Sequence, residues 1–157
     1  MSRISPFLWF DDQAEEAATF YVSMFPNSAV LAVSRYPEGG PGRAGSAMSV
    51  RFVLDGLEFQ ALNGGRQLAF TEAISLLVSA QTQHEIDELW DKLSSGGQAG
   101  QCGWLKDRFG LSWQIVPPIL GELLSDPDPD GSRRVMEAMM AMSKIDIAAL
   151  QAAHDGG

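Results

Sequence analysis

The residues that could do chemistry in this chain are few and widely spaced. It has two histidines, His84 and His154, and one cysteine, Cys102. His84 is predicted on the exposed face of a helix and His154 in a fraying C-terminal segment. Neither has a second His, Cys or carboxylate at a useful ligand spacing in its own element. Both are therefore interpreted as surface residues, and no metal site is predicted.

Nucleophilic and cofactor chemistry also lack the sequence patterns they need. Cys102 would require a neighbouring base to become a thiolate, and both histidines are predicted far from it, so a structural thiol is preferred. The glycines Gly64 and Gly65 follow a predicted strand but lead into another strand rather than a helix. No methyl-donor or dinucleotide site is expected, no phosphate loop occurs, and no cofactor is predicted.

Composition narrows the class of protein and its partners. The 157 residues suit a single domain, and their 11 basic and 20 acidic side chains give a net charge of -9. No basic stripe is present, so nucleic acid is not an expected partner. The N-terminal apolar run is too short for a membrane span, and the single cysteine excludes an intramolecular disulfide. A cytoplasmic location without membrane contact is expected.

The order of predicted elements repeats once along the chain. The first series begins with a strand at 4–10, a turn and helix cap at Asp11 and Asp12, and a helix at 13–24. A strand at 29–35 and a mobile loop at 36–46 follow. Two hairpin strands at 47–54 and 57–62, joined at Asp55 and Gly56, complete it. The second is a strand at 73–78, a helix at 84–93 capped by Thr82, a loop at 94–100, and strands at 102–106 and 111–116.

An appended tail follows at 119–157. Ser132 is predicted to cap a methionine-rich helix, whose apolar residues indicate a core or subunit contact: Val135, Met136, Met139, Met140 and Met142. A short last helix is predicted at 146–153. The fold class is therefore α+β, a single domain over 1–157. It contains two strand-helix-strand-strand-strand modules at 3–66 and 70–118 and a helical tail.

Five strings in this order resemble the PhnB-like proteins, a family also named 3-demethylubiquinone-9 3-methyltransferase-like, within the vicinal oxygen chelate superfamily. They are PFLWFD at 6–11, AEEA at 14–17 with FY at 20–21, YPEG at 36–39, ALNGG at 61–65 and CGWLKDRFG at 102–110. The resemblance implies that each module curls its sheet into a half-barrel, and that two modules enclose a cup for a small ligand.

Many enzymes related to this family bind a divalent metal in the cup through four side chains, usually His or Glu. Counting fourteen residues back from Phe20 places the first ligand position on Pro6. The others fall near Ala61, on Ala73 and on Gln114. Only Gln114 offers an oxygen, so metal-chelate chemistry is disfavoured.

Strand alternation from those positions predicts the residues that face the cup. They are Leu8, Phe10, Phe59, Asn63, Ser75, Leu77, Ser112 and Gln114. Cys102 and Trp104 share one face of the seventh predicted strand; alternation does not assign that face, and both are included as candidate cup residues. The set is mostly apolar with a few polar tips, as small-molecule pockets are. Ordinary packing in the half-barrel core is an equally supported interpretation of each.

Three functions stay open on these grounds. The first is a metal-free protein that binds a small organic molecule and forms a homodimer through exposed sheet edges and the methionine-rich helix. The second is an enzyme on a small, quinone-like substrate, in which Gln114 and Asn63 polarise an oxygen and Trp104 stacks. The third is a structural or partner-binding dimer.

Overall fold

The structure, a computed structural model, describes residues 2–156, and the chain divides into two compact units between Phe70 and Thr71. The elements of the first unit are β1 (Phe7–Phe10), α1 (Ala14–Val22), β2 (Ala29–Arg35), β3 (Ala47–Leu54) and β4 (Leu57–Asn63). The strand order is β1-β4-β3-β2, with β1 parallel to β4 and the other pairs antiparallel. Asp55 and Gly56 both have positive φ, as the predicted tight hairpin turn requires.

The core of the first unit lies between α1 and one face of its sheet. Ala14, Ala17 and Ala18 are completely buried and let the helix backbone approach the strands closely. Tyr21, also buried, packs with its ring 6.4 Å from that of Phe52, which stacks on Phe59 at 5.2 Å. Burial of aromatic area of this kind stabilises such a small unit.

The first turn of α1 is held by a residue that lies far from it in the sequence. The side chains of Asp11 and Asp12 were expected to cap this helix, but the N-cap residue is Gln13 and no side chain of its own segment caps it. Instead, the Asn63 side-chain oxygen accepts a hydrogen bond from the Ala14 amide at 2.8 Å, and its Nδ2 donates to the Ala47 carbonyl at 3.0 Å. One side chain at the end of β4 thereby holds α1 and β3 in place.

The segment after β4 packs tightly on β1. The Gly64 amide donates to the Phe10 carbonyl at 2.9 Å, and the indole Nε1 of Trp9 donates to the Gly65 carbonyl at 3.0 Å. A Cβ atom on Gly64 would overlap the six-membered ring of Trp9. Glycine is therefore required here for close approach.

The second unit repeats the topology of the first. Its repeated elements are β5 (Leu76–Ser79), α2 (Gln83–Ser94), β6 (Gln98–Ala99), β7 (Trp104–Lys106) and β8 (Ser112–Val116). The strand order in the sheet is β5-β8-β7-β6. The predicted repeat is confirmed. The predicted loop at 94–100 contains β6, a strand of two exposed residues that has no apolar pattern to reveal it.

A buried carboxylate organises the turn between β7 and β8. Asp107 Oδ1 accepts hydrogen bonds from the Phe109 and Leu111 amides at 2.9 and 3.1 Å, and Oδ2 accepts one from the Trp113 indole at 2.9 Å. Leu105 and Trp113, which are paired across the strands, lie on the buried sheet face against α2. The family string at 102–110 thus builds a structural turn.

The tail belongs to the second unit and contains three helices, α3 (Pro118–Leu124), α4 (Pro129–Met140) and α5 (Ile147–Asp155). Their buried centre consists of Leu120, Val135, Ile145 and Leu150. One helix was missed and the start of another was predicted wrongly. The helix α3 was not predicted, although proline favours a first helical turn, and α4 begins with Pro129 after an Asp128 cap rather than at Ser132.

The two histidines differ in their surroundings. His84 is exposed, as predicted. His154 is not in a frayed end, because its side chain is only 22% exposed and its ring nitrogens lie 3.1 Å from Asp126 Oδ2 and 3.2 Å from Asp155 Oδ1. Arg134 also donates to the Ala153 and His154 carbonyls and anchors the end of α5. Within residues 2–156, no helix has the length and apolarity to cross a membrane.

Replacing Gly64 with alanine tests the close approach at β1. The new methyl group would press on the Trp9 ring, and we expect the free energy of unfolding to fall by about 1–3 kcal/mol. Gly121→Ala is the control, since Gly121 lies within α3 and nothing is within 4 Å of its added Cβ. That change should be neutral or stabilise by up to about 1 kcal/mol. Urea denaturation measures both, and a Gly64→Ala protein as stable as wild type would contradict the packing described.

The pH dependence of stability tests the contacts of His154. The hydrogen bond to Asp155 and the neighbouring Asp126 raise the pKa of His154 above its usual 6.5. A raised pKa in the folded state means that the stabilisation is fully present below pH 6.5 and is lost as the pH rises through the raised value. The melting temperature of wild type should therefore exceed that of His154→Gln most at slightly acidic pH. A difference that is constant across this window would show that protonation of His154 does not stabilise the tail.

Candidate functional site

The open face of the second sheet carries a row of three predicted cup residues. Leu77 of β5 pairs with Gln114 of β8, and Gln114 pairs with Trp104 of β7. Residues paired across strands point to the same side of a sheet, and this side is opposite to Leu105 and Trp113. Leu77 is 59% exposed, so the row is accessible to solvent.

Gln114 supplies the polar group of this row. Its Nε2 donates to the Ser75 hydroxyl at 3.0 Å, which fixes the orientation of the amide. One N–H of the same nitrogen and the Oε1 oxygen remain for another molecule. Within the described residues no other hydrogen bond of this side chain is formed.

Ser112 lies two residues before Gln114 on β8 and on the same face. Its hydroxyl is buried and has no hydrogen-bond partner in the described part of the chain. A buried polar atom of this kind lowers the stability of the fold unless a water molecule or a ligand forms a hydrogen bond with it. The face therefore contains one oriented amide and one unsatisfied hydroxyl.

Cys102 does not share a strand with Trp104. It precedes β7 with φ of 59° and is followed by Gly103 with φ of 84°. Its amide donates to the Met142 carbonyl, and its Sγ lies 3.8 Å from the Met140 sulfur. The cysteine thus contacts the tail, which agrees with a structural thiol.

In the first unit the alternation argument selected the wrong face. The strand register places Leu8, Phe10, Phe59 and Asn63 on the side that packs against α1. For Leu8 and Phe10 the error arises because the count of fourteen residues from Phe20 crosses the turn between β1 and α1. For Phe59 and Asn63 it arises because the starting position was placed only near Ala61. A difference of one residue reverses every side chain on a strand. Both ends of the Asn63 amide take part in bonds within the protein, and they join α1 to β3.

Ala61, selected from the sequence as the second family ligand position, pairs with Leu8 and so lies on the side of the sheet that packs against α1. Pro6, Ala61 and Ala73 carry no donor atom, and Gln114 offers a neutral amide oxygen. In addition, residues 2–156 contain no group of three or more His, Cys, Asp or Glu side chains placed to hold a metal ion.

A cavity of about 570 Å³ lies within the first unit, and the sequence analysis did not identify it. It forms where β1 and β4 end and the 36–46 loop returns, and its lining includes Asp11, Asp12, Tyr36, Arg43 and Asn63. Three of the family strings, at 6–11, 36–39 and 61–65, contribute to it. Their convergence is the signal that could have revealed the cavity.

The 36–46 loop, expected to be mobile, has internal hydrogen bonds. The Tyr36 amide donates to the Ser46 carbonyl at 2.9 Å, and the Gly45 amide donates to the Tyr36 carbonyl at 3.0 Å. The Tyr36 hydroxyl donates to the Asn63 carbonyl at 2.8 Å and ties the loop to the end of β4. The loop therefore forms a defined wall of the cavity.

Comparisons with known proteins agree with this architecture. The PhnB protein from Bacillus cereus is 37% identical, with a TM-score of 0.70 over 74% of this chain and 99% of its own. Protein PA1353 from Pseudomonas aeruginosa is 20% identical, with a TM-score of 0.63 over 74% of this chain and 98% of its own. The fosfomycin resistance protein FosX from Listeria monocytogenes is 16% identical, with a TM-score of 0.57 over 80% of this chain and 98% of its own. No curated protein matches the chain.

The doubled β-α-β-β-β topology and these neighbours define a vicinal oxygen chelate protein of the glyoxalase/bleomycin resistance/dioxygenase fold. The family model described as 3-demethylubiquinone-9 3-methyltransferase matches residues 2–116. The chain belongs to this PhnB-like family.

Proposed function

We propose that this protein binds a small organic molecule on the open face of its second sheet without the help of a metal ion. The observation that carries the proposal is the cross-strand row of Leu77, Gln114 and Trp104, in which one oriented amide stands between two apolar side chains. An aromatic or apolar body would cover Leu77 and Trp104. A single oxygen on that body would bond to Gln114.

The chemistry of Gln114 selects the kind of oxygen. Its free N–H can donate to a carbonyl, and its Oε1 can accept from a hydroxyl, so phenols and aromatic carbonyl compounds both suit it. A neutral site of this type discriminates by hydrogen bonding rather than by charge.

An enzyme acting on a quinone-like substrate is the alternative, in agreement with the description of the family. The same row would serve it, with Gln114 polarising the substrate oxygen and Trp104 stacking on the ring. Binding is preferred to methyl transfer because Gly64 and Gly65 follow β4 and no helix lies between β4 and β5. A glycine-rich methyl-donor loop would open such a helix.

Titration with 4-methoxyphenol, which combines an aromatic ring with one hydroxyl, tests the row. Calorimetry should show saturable binding, and Gln114→Leu should weaken it about tenfold, the equivalent of about 1.4 kcal/mol for one hydrogen bond. The matched control is Gln98→Leu, since Gln98 is an exposed glutamine of β6 outside the row. It should leave the affinity unchanged.

Two results would contradict the proposal. One is an equal loss of affinity in both glutamine variants. The other is a requirement for metal, seen as one equivalent of a divalent ion in elemental analysis of the purified protein together with loss of binding after dialysis against EDTA. We expect the same affinity before and after dialysis.

A homodimer is proposed on the evidence of α4. Met136 and Met140 on this helix are 44% and 60% exposed, whereas Val135 is buried in the tail. Exposed methionines form adaptable apolar surfaces that commonly contact another chain. This surface also supports the second alternative, a structural dimer, if no small molecule is bound.

Sedimentation velocity tests the dimer. Wild type should sediment as two 17.0 kDa chains, and the double variant Met136→Glu, Met140→Glu should sediment as one, because two carboxylates would be buried without partners. Leu68→Glu is the control, since Leu68 is an equally exposed apolar residue of the first unit. A wild-type monomer, or a dimer that persists in the double variant, would exclude α4 as the interface.

A further inference from the structure

The cavity of the first unit is lined by polar and apolar groups in similar measure, and two of its hydroxyl groups already form hydrogen bonds within the protein. The apolar part of the lining comes from the Tyr36 ring and from Pro41 and Ala47. The Tyr36 hydroxyl donates to the Asn63 carbonyl, and the Ser46 hydroxyl donates to the Arg43 carbonyl at 2.6 Å. The charged side chains of the lining are the groups that can select a ligand by its charge.

Two opposite charges in this cavity have no partner within residues 2–156. Arg35, Arg51 and Arg66 of the same unit each pair with a carboxylate, but the Arg43 guanidinium forms no ion pair. Asp11 pairs with Arg66 at 3.0 Å, whereas the Asp12 carboxylate has neither an ion pair nor a side-chain hydrogen bond. Arg43 and Asp12 line the same cavity and do not pair with each other.

The backbone around both charges is held in position. The Arg43 carbonyl accepts hydrogen bonds from the Ser46 amide and hydroxyl. Next to Asp12, the Asp11 carbonyl accepts a bond from the Gly65 amide at 3.1 Å. The absence of a side chain at Gly42 lets the Tyr36 ring pack against the loop, because a Cβ there would overlap that ring. Each charge is thus presented from a fixed main chain.

We propose that this cavity is a second binding site, separate from the open face of the second sheet, and that its ligand is a small zwitterion of the amino acid type. The guanidinium of Arg43 binds the carboxylate of the ligand, and the carboxylate of Asp12 binds its ammonium group. Charge-assisted hydrogen bonds of this type are stronger than neutral ones, and the planar guanidinium matches a carboxylate with two parallel bonds. A cavity of about 570 Å³ accommodates a ligand of this size.

Three small ligands that differ in their charged groups distinguish the contribution of the carboxylate from that of the ammonium group. L-alanine carries both, propionate carries the carboxylate alone and ethylamine carries the ammonium alone. In ¹⁵N-¹H spectra of the full chain, the amide signals of Gly42, Gly64 and Gly65 report on the cavity wall. Alanine should shift these signals saturably and bind at least about tenfold more tightly than either single-charge probe.

Substitutions of Arg43 and Asp12 show which charged group of the ligand each residue binds. Arg43→Gln should weaken alanine and propionate about tenfold and leave ethylamine unchanged, and Asp12→Asn should weaken alanine and ethylamine and leave propionate unchanged. Arg3→Gln is the control, since Arg3 is an exposed arginine that does not line the cavity. The melting temperature of each variant shows that the fold is retained.

Three outcomes overturn the proposal. Propionate that binds as tightly as alanine would define a simple anion site. Alanine binding that is unaffected by Arg43→Gln and Asp12→Asn would place the ligand elsewhere. Glycine signals that do not move up to the solubility limit of alanine would show that the cavity does not bind it. None of these outcomes bears on 4-methoxyphenol binding through Gln114, so the two sites are tested separately.

Discussion

The side-chain amide of Asn63 joins the parts of the first unit that must be in register. Its oxygen accepts from the first amide of α1, and its nitrogen donates to the carbonyl that opens β3. Its backbone carbonyl also accepts from the Tyr36 hydroxyl. Without it, the helix start would leave a donor unpaired at the edge of the core. The arrangement of the helix, the hairpin and the 36–46 loop therefore depends on one residue at the end of β4.

The two units share a topology but begin their helices differently. In the second unit the Thr82 hydroxyl accepts from the Glu85 amide, so the cap is local and involves no strand. In the first unit the cap comes from β4, which draws the strand end, the glycines after it and the 36–46 loop together around the cavity. In the second unit the polar groups lie instead along β8, at Ser112 and Gln114. A duplicated fold has thus placed its polar side chains at different positions.

Local patterns in the sequence predicted most of the elements, because each element carries its own signal. Apolar periodicity located α2, and Asp55 with Gly56 located the hairpin turn. The strand β6 could not be predicted because its two residues are exposed and are held only by pairing with β7. The helix α4 starts earlier than expected because Asp128 competes with Ser132 as a cap, and both residue types suit that position.

The site was harder to predict than the fold because it depends on long-range register. The position of Gln114 was predicted from its separation in sequence from Gly110, and only one turn and one strand lie within that separation. Leu8 and Phe10 were assigned to the wrong face because the count crossed a turn of unknown length. The cavity around Arg43 and Asp12 could not be derived from spacing at all, since it requires the loop and two strand ends to meet.

The parallel pairing of the first strand with the last in each unit has a consequence for how the chain acquires its structure. β1 meets β4 only after the helix and the hairpin between them have been made, and β5 meets β8 in the same way. During synthesis, the first strand of each unit stays unpaired, with its apolar residues exposed to solvent, until the last strand has emerged from the ribosome. Pairings so distant in sequence form slowly. Each unit is therefore completed from its final strand, and the first unit can finish while the second is still being translated.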